Sequence, residues 1–258
     1  MSVATNLYLE YWKDMVLSAD RISRHSDKVI FYVFTEEPER ISPFADQLKN
    51  VSIKAFKIPA YGWPEATLLR YEIFSKEFEC LEADYLVHLD ADMLVVSNPW
   101  DRIRNNLIHS EVCLVEHPGF WRPEVHKRIQ LYLKDPRRLL VDIFLRLKHG
   151  GIGTWEIKEY SEAYVVRDLR KIYFCGGVWF GRKAAIGKLL ETLAKNVRTD
   201  LNNNVIAKWH DESHLNKWAI NNFHASDNPE LCYDETYPHL SSLTPYIIAV
   251  RKKNLIHK

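Results

Sequence analysis

The feature of this sequence that most constrains its fold is the alternation of short apolar runs with longer amphipathic segments. Four runs are rich in β-branched and aromatic residues, as buried strands are: Val29–Phe34, Tyr85–Leu89, Val112–Val115 and Tyr173–Phe180. A fifth run, Val51–Ile58, alternates more strictly and is typical of an edge strand. Helical periodicity lies between the runs, in Tyr8–Ile22, Glu65–Phe78, Ala184–Val197 and Glu212–Asn222. This alternation predicts an α/β fold with a mainly parallel, twisted sheet and helices on both faces.

Composition excludes several classes of protein. The chain has 258 residues, 47% of them hydrophobic, and a formal net charge of +1, which argues against nucleic-acid binding through a basic face. Its four cysteines lack the CxxC spacing of zinc or redox sites, so we expect reduced thiols. No stretch reaches the ~18 apolar residues of a membrane span, and the first residues lack a signal-peptide pattern. We therefore expect a soluble, cytoplasmic protein.

One segment, residues 123–153, interrupts the alternation. It is basic, contains two apolar triplets and ends in Gly150-Gly151-Ile152-Gly153. This pattern predicts one or two amphipathic helices followed by a flexible joint. We interpret the chain as a single domain over residues 1–258 with a helical insertion at about 123–153.

Two aspartates follow the apolar run Tyr85–Leu89 directly, in the sequence Asp90-Ala91-Asp92. In α/β sheets, ligands bind at the carboxyl ends of the strands. Two carboxylates one residue apart need neutralisation, which Mn²⁺ or Mg²⁺ provides through oxygen ligands while bridging to nucleotide phosphates. The alternative is an acidic turn that caps the next element. The position at a predicted strand end favours the metal site.

Several motifs together carry a family resemblance. They are Tyr32–Thr35, Ala83–Val87, His117–Phe120, Tyr173–Gly177 and Trp209–Lys217. With Asp90 and Asp92, they resemble glycosyltransferase family 6, which includes the histo-blood-group A and B transferases and the α-1,3-galactosyltransferase. The resemblance covers nearly the whole chain. It implies a GT-A type nucleotide-binding fold and retaining α-1,3-transfer of GalNAc or Gal from UDP-GalNAc or UDP-Gal to a β-galactoside.

The resemblance also implies a nucleotide and metal site. Asp90 and Asp92 are expected to hold Mn²⁺, or Mg²⁺, against the UDP diphosphate. The expected nucleotide-binding residues are Val3, Tyr8, Arg70 and Lys252. From the residues alone, Arg70 is equally a surface arginine of an amphipathic helix, and Lys253 is an alternative to Lys252 in a basic tail.

The segment His210–His214 has two histidines four residues apart, which suggests zinc. The metalloprotease pattern requires a glutamate directly after the first histidine, and Asp211 stands there, so the zinc interpretation fails. From the residues alone, Asp211 and Glu212 are first-turn acids favoured by the helix dipole. The resemblance implies instead that Glu212 is the catalytic carboxylate, as stabiliser or nucleophile, and that Asp211 binds donor-sugar hydroxyls.

The resemblance assigns donor selection to Cys175-Gly176-Gly177, where two glycines leave room for the acetamido group of GalNAc. Close packing or a bulge is the alternative role of such glycines. The expected contacts of the acceptor, a galactose-containing and possibly fucosylated glycan, are His117, Thr154, Trp209 and Asp234. For His117 the alternative is a satisfied core histidine. We expect the insertion to shape this acceptor site or to form a lid.

Three alternative functions remain open from the sequence. A metal-dependent sugar-nucleotide hydrolase or a nucleotidyltransferase could use the same Asp90 and Asp92. An inactive carbohydrate-binding module is the third, although it would have no need to keep Arg70 and Glu212. Because the chain keeps both aspartates and shows no anchor or stem, we expect a soluble microbial or viral member of the family.

Overall fold

The structure is a computed structural model that describes residues 1–250. Its strands are β1 (Ser2–Val3), β2 (Val29–Thr35), β3 (Val51–Lys57), β4 (Tyr85–Leu89), β5 (Met93–Val95), β6 (Val112–Glu116), β7 (Phe174–Arg182), β8 (Ala225–Asp227) and β9 (Ile247–Ala249). Its helices are α1 (Tyr8–Ile22), α2 (Ser42–Ala45), α3 (Glu65–Leu68), α4 (Arg70–Lys76), α5 (Trp100–Asn106), α6 (Val125–Lys134), α7 (Pro136–His149), α8 (Lys183–Asn202) and α9 (His210–Asn221). Within this described range, no helix is both long and apolar enough to cross a bilayer.

The strands form three sheets, and the α/β class predicted from the sequence is confirmed. The first sheet, in the order β1-β2-β3, is parallel throughout, with β3 at its edge as its alternating pattern predicts. The second sheet, in the order β4-β7-β6-β8, is mixed: β7 runs antiparallel to both β4 and β6, whereas β8 is parallel to β6. The third pairs β5 with β9 antiparallel. The predicted mainly parallel arrangement therefore holds in the first sheet but not in the second and third. Single-strand patterns do not encode strand direction, so the reversed β7 could not be predicted.

The observed helices follow the periodicity closely. Helix α1 has the predicted bounds, and it buries Leu9, Trp12, Met15 and Val16, whose spacing places them on one face. The helix predicted over Glu65–Phe78 is divided in two, because Leu69 (φ −92°, ψ 0°) leaves helical geometry between α3 and α4. Helix α9 begins at His210, two residues before its predicted start.

The segment over residues 123–153 forms two helices, α6 and α7. Helix α7 is followed by Gly150, whose backbone is left-handed (φ +75°). The four cysteines are free thiols, with Cys80 exposed and the other three buried. The division of the chain into a single domain with an insertion stays a prediction.

The pairing of β4 with β7 determines where the site forms. Leu89, the last residue of β4, lies opposite Val178 in β7. One residue later the backbone N–H of Asp90 donates to the carbonyl oxygen of Gly177 at 2.9 Å. The end of β4 and the Gly-Gly pair of β7 therefore lie side by side.

Candidate active site

Asp90 and Asp92 occupy the turn that joins β4 to β5. Both are half-buried, and the carbonyl oxygen of Asp92 accepts from the N–H of Val250 at 2.8 Å. The position at the end of an apolar strand, inferred from the sequence, is therefore confirmed, whereas a metal role for the pair stays a prediction.

Arg70 is buried at the centre of the site, not exposed on a helix surface. Its Nη1 lies 2.8 Å from Oδ1 of Asp90 and 3.3 Å from Oδ2 of Asp211. Burial alone raises the pKa of Asp90, but Arg70 and His88 together outweigh this effect and hold the pKa of Asp90 well below its usual range. Asp90 is thus a carboxylate that stays ionised at physiological pH.

His88 is a member of this cluster that sequence reasoning missed. Burial lowers its pKa to about 4, so the ring is neutral near pH 7. Its Nε2 lies 2.7 Å from Nη1 of Arg70, and since a guanidinium only donates, Nε2 accepts. The proton is therefore on Nδ1, which lies 3.1 Å from the carbonyl oxygen of Met1. Its place as an inward-facing residue of β4 was the available signal.

Asp211 and Glu212 lie in the first turn of α9 and are drawn into the same cluster. Burial raises the pKa of Asp211 to about 7 and that of Glu212 to about 7. The backbone N–H of Gly176 donates to Oε2 of Glu212 at 2.8 Å, and this bond lowers the pKa of Glu212 and offsets part of the effect of burial. The nearby charge of Asp90 adds to the rise in both pKa values, whereas the charge of Arg70 opposes it.

Asn216 fixes α9 against β7. Its Oδ1 accepts from the N–H of Phe174 at 2.8 Å, and its Nδ2 donates to the carbonyl oxygens of Phe174 at 2.8 Å and of Glu212 at 2.9 Å. The side chain is buried, so all three bonds are shielded from water. This amide sets the distance between the helix that carries Glu212 and the strand that carries Gly176.

The two glycines of β7 allow the carboxylates to approach the strand. A Cβ at Gly176 would lie 3.0 Å from Cβ of Glu212 and 3.1 Å from Oδ2 of Asp211. A Cβ at Gly177 would lie 2.8 Å from Oδ2 of Asp90. The glycines therefore have the close-packing role considered from the sequence, whatever their part in donor binding. Cys175 beside them is buried.

His117 lies in the loop after β6, packed against Phe120 and Tyr173 with ring centroids 4.7 and 5.9 Å away. Its Nδ1 accepts from the N–H of Gly119 at 3.0 Å, so the proton of the neutral ring is on Nε2. Burial lowers its pKa to about 4, and Asp234 is near enough to oppose that shift. His117 is thus a neutral ring with a proton on Nε2, and Asp234, another predicted acceptor residue, lies near enough to affect its pKa.

Tyr173 links the two sides of the site. Burial raises its pKa well above the usual value, and both Glu212 and Thr154 lie near its hydroxyl. Tyr173 belongs to the motif that was recognised in the sequence, but the motif alone assigned it no role. Thr154 and Glu212 therefore lie near the same side chain, that of Tyr173.

Trp209 precedes α9 and is 47% exposed. The next residue, His210, has a left-handed backbone (φ +46°), which is unusual for a residue with a side chain. Its ring meets Trp63, which is 76% exposed, with centroids 5.1 Å apart. The sequence patterns pointed to Trp209 but not to the contact between Trp63 and His210.

The remaining predicted nucleotide residues lie at the ends of the chain. Val3 lies in β1 and Tyr8 begins α1, and both are half-buried. The amino terminus reaches the cluster through Met1, whose carbonyl oxygen also accepts from the N–H of Leu89 at 3.2 Å. Lys252 and its alternative Lys253 lie outside the described residues.

The donor set of Asp90 and Asp92 fits a hard divalent cation. Over residues 1–250, no three His, Cys, Asp or Glu side chains gather as a metal-binding group. A pair of carboxylates is nevertheless the usual protein contribution to a Mg²⁺-type site that takes its other ligands from phosphates and water. The ionised state of Asp90 meets the requirement that a ligand be deprotonated.

Several known glycosyltransferases are similar in sequence to this chain. The chain is 27% identical to the histo-blood group ABO system transferase 1 of Rattus norvegicus over 90% of its length. It is 25% identical to the globoside alpha-1,3-N-acetylgalactosaminyltransferase 1 of Mus musculus over 97%. The aligned regions span 59% and 65% of these relatives, less than two thirds of either. The O-antigen biosynthesis glycosyltransferase WbnI of Escherichia coli is 25% identical over 85% of this chain and 80% of its own.

The family model described as Glycosyltransferase family 6 matches residues 2–126 and 148–257. The stretch from 127 to 147, which carries most of α6 and α7, is unmatched. The matched part includes the end of β4, the Gly-Gly pair of β7 and the start of α9. The chain belongs to glycosyltransferase family 6.

Proposed function

We propose that this chain is a retaining α-1,3-glycosyltransferase that moves GalNAc, or Gal, from a UDP-sugar to a β-galactoside in a divalent-metal-dependent reaction. The observation that carries the proposal is the buried cluster in which Arg70 joins Asp90 to Asp211, with Glu212 beside them. Family membership and the activities for which the rat and mouse relatives are named support the same reaction class.

Asp90 and Asp92 would hold Mn²⁺ or Mg²⁺, which when bound neutralises charge that develops on the leaving diphosphate. Arg70 keeps Asp90 ionised for this role. The uracil and ribose would lie against Val3 and Tyr8, and Lys252 would reach the diphosphate.

In the reaction, the bond between C1 of the sugar and the diphosphate oxygen breaks, and its electron pair leaves with UDP. The acceptor hydroxyl oxygen bonds to C1 on the face that UDP leaves, and its proton passes to the departing diphosphate. Glu212 stabilises the positive charge on C1 from the opposite face or bonds to it transiently, and either role requires an ionised carboxylate. Asp211 would bind hydroxyls of the same sugar.

The acceptor galactose would lie between His117 and Trp209. The Nε2–H of His117 donates to a sugar hydroxyl, and the flat face of Trp209 covers the apolar side of the ring. Thr154 and Asp234 would bind further hydroxyls. On the donor side, Gly176 and Gly177, next to Cys175, would favour the acetamido group of GalNAc.

The test is UDP release from UDP-GalNAc and UDP-Gal with Mn²⁺, with and without β-galactosides that carry α-1,2-fucose. We expect acceptor-dependent release that favours UDP-GalNAc, an α-1,3-linked product and loss of activity in EDTA. Asp90→Asn should remove this activity, whereas Asp84→Asn, which changes an exposed carboxylate just before β4, should retain it. Release without acceptor would indicate a sugar-nucleotide hydrolase, and UDP binding without turnover would indicate a carbohydrate-binding module.

A further inference from the structure

Helix α7 presents its apolar side chains to solvent. Leu140, Phe144 and Leu147 are 66%, 56% and 71% exposed, whereas Asp142 and His149 are buried. Because successive helical residues are rotated by about 100°, these two sets lie on opposite faces of α7. A surface helix of a globular protein normally has the reverse arrangement, with its apolar face inward.

Polar contacts hold the inner face of α7 in place. Arg122 donates to Asp142 through Nε at 2.8 Å and through Nη2, and the hydroxyl of Tyr132 in α6 donates to Asp142 at 2.6 Å. Nη1 of Arg138 lies 2.7 Å from Nδ1 of His239. His239 in turn contacts the carbonyl oxygen of Pro118, next to His117, at 2.8 Å. Because polar contacts hold this inner face of α7 against the protein, the apolar face of the helix is turned to solvent.

Helix α6 has an outward apolar stripe of its own. Val125, Ile129 and Leu133 recur every four residues and are 67%, 55% and 78% exposed. No residue of α6 is buried. With Val141, which is 52% exposed, seven large apolar side chains on these two consecutive helices are more than half exposed, which marks an interaction surface.

The same two helices concentrate positive charge. Residues 125–149 contain seven Lys or Arg and two Asp or Glu, a net charge of +5 in a chain whose total is +1. Asp142, one of the two acids, is already paired with Arg122. On α7, the exposed basic residues Arg137 and Lys148 lie beside the face that carries Leu140 and Phe144. The surface is apolar at its centre and cationic at its margin.

We propose that α6 and α7 form a docking surface for a membrane that carries anionic lipids. Apolar side chains of such helices enter the boundary between headgroups and acyl chains, while Lys and Arg pair with lipid phosphates. An apolar protein groove would not require the surplus of positive charge, and a nucleic acid would not require the exposed leucines and Phe144. Both properties fit one occupant, the surface of an anionic bilayer. The stretch that the family model leaves unmatched supplies most of this surface.

The test is co-sedimentation of the full chain with vesicles of phosphatidylcholine, alone or mixed with phosphatidylglycerol. We expect binding to the mixed vesicles that weakens as salt is raised. The triple variant Leu140→Ser, Phe144→Ser, Leu147→Ser should lose at least about tenfold in partitioning, because three large apolar groups no longer leave water. The matched variant Ile108→Ser, Phe223→Ser removes exposed apolar groups elsewhere (61% and 83% exposed) and should bind normally.

A charge variant tests the proposal independently of the apolar one. Arg137→Gln, Lys148→Gln should weaken binding about tenfold or more, whereas Lys188→Gln, Lys195→Gln, which changes exposed lysines of α8, should not. Absent binding of the unmodified chain to mixed vesicles, or equal binding by the triple variant, would overturn the proposal. Self-association without vesicles that the triple variant abolishes would also overturn it, because a second copy would then cover the surface.

Discussion

The backbone N–H of Gly176 donates a 2.8 Å hydrogen bond to Oε2 of Glu212, so strand β7 directly orients the first-turn carboxylate of α9. Burial raises the pKa of Glu212 to about 7, and this bond favours the ionised form. The carboxyl group of Glu212 therefore has both a raised pKa and a fixed orientation.

Glu212→Gln is expected to lower transfer by about 10²- to 10³-fold, because the amide cannot balance positive charge at C1. The side chain keeps its size and can still accept from Gly176, so UDP affinity measured by calorimetry should stay within about threefold of the original. Glu191→Gln, an exposed glutamate of α8, is the matched control. Near-normal turnover by the Glu212 variant would contradict the catalytic assignment.

The same substitution is expected to stabilise the metal-free protein at high pH. The folded-state pKa of Glu212, about 7, lies above its ordinary value of 4.5, so the folded state binds this proton more tightly than the unfolded state. Stability from this group is therefore present below about pH 4.5 and is lost as pH rises through 7. Glu212→Gln should be more stable than the original by about 1–3 kcal/mol at pH 8 and equal to it near pH 4. Denaturant unfolding at both values measures the difference, and a constant difference would refute the linkage.

Gly176→Ala is expected to reduce both stability and activity. The new Cβ would lie 3.0 Å from Cβ of Glu212 and 3.1 Å from Oδ2 of Asp211, closer than side-chain carbons normally pack. Relief requires α9 to move away from β7, at a cost of about 1–3 kcal/mol. Gly62→Ala, where the added carbon meets no atom within 4 Å, is the control for backbone entropy. If the Gly176 variant keeps full kcat, the carboxylate position is less critical than the proposed mechanism requires.

The sequence predicted what local patterns encode. The bounds of α1 and β4 follow from periodicity, and the edge position of β3 follows from its alternation, because burial on one face selects the residue types. The direction of a strand depends on how the chain connects it to its neighbours in the sheet, and no local sequence pattern marks it. The antiparallel direction of β7 therefore could not be predicted.

The site was predictable to the extent that the motif Asp90-Ala91-Asp92 sits at a strand end. Arg70 was assigned only through the family resemblance, since its spacing on an amphipathic helix equally fits an exposed residue. His88 has no motif of its own, because its role depends on which partner faces β4 after folding. The sequence also did not show that the apolar side of α7 faces solvent, since helical periodicity does not indicate which face of a helix is buried.

Asn216→Ala is expected to loosen α9 from β7. The substitution leaves the N–H and carbonyl oxygen of Phe174 without their partner in a buried place, which costs about 1–3 kcal/mol for each unsatisfied group. We expect lower stability and a fall in kcat greater than any rise in KM, since Glu212 shifts relative to Gly176. Asn222→Ala, which removes one partly buried bond from an exposed side chain to the carbonyl oxygen of Trp218, is the control. Equal effects of the two variants would argue against a positioning role for Asn216.

Arg70→Met is expected to destabilise the protein by about 3–5 kcal/mol, because Asp90 and Asp211 then lose the buried guanidinium that pairs with both of them. The loss should be larger at pH 8 than at pH 5, since protonated carboxylates no longer require that partner. If Asp90 and Asp92 hold a divalent cation, Mn²⁺ should raise the melting temperature of the variant more than that of the original, because the ion replaces part of the missing charge. Arg198→Met, which removes an exposed pair with Glu72, should show neither the pH dependence nor the added response to Mn²⁺. An equal rise in melting temperature with Mn²⁺ in the original protein and in both variants would indicate that the cation does not bind at Asp90. The proposed metal site would then lie elsewhere in the chain.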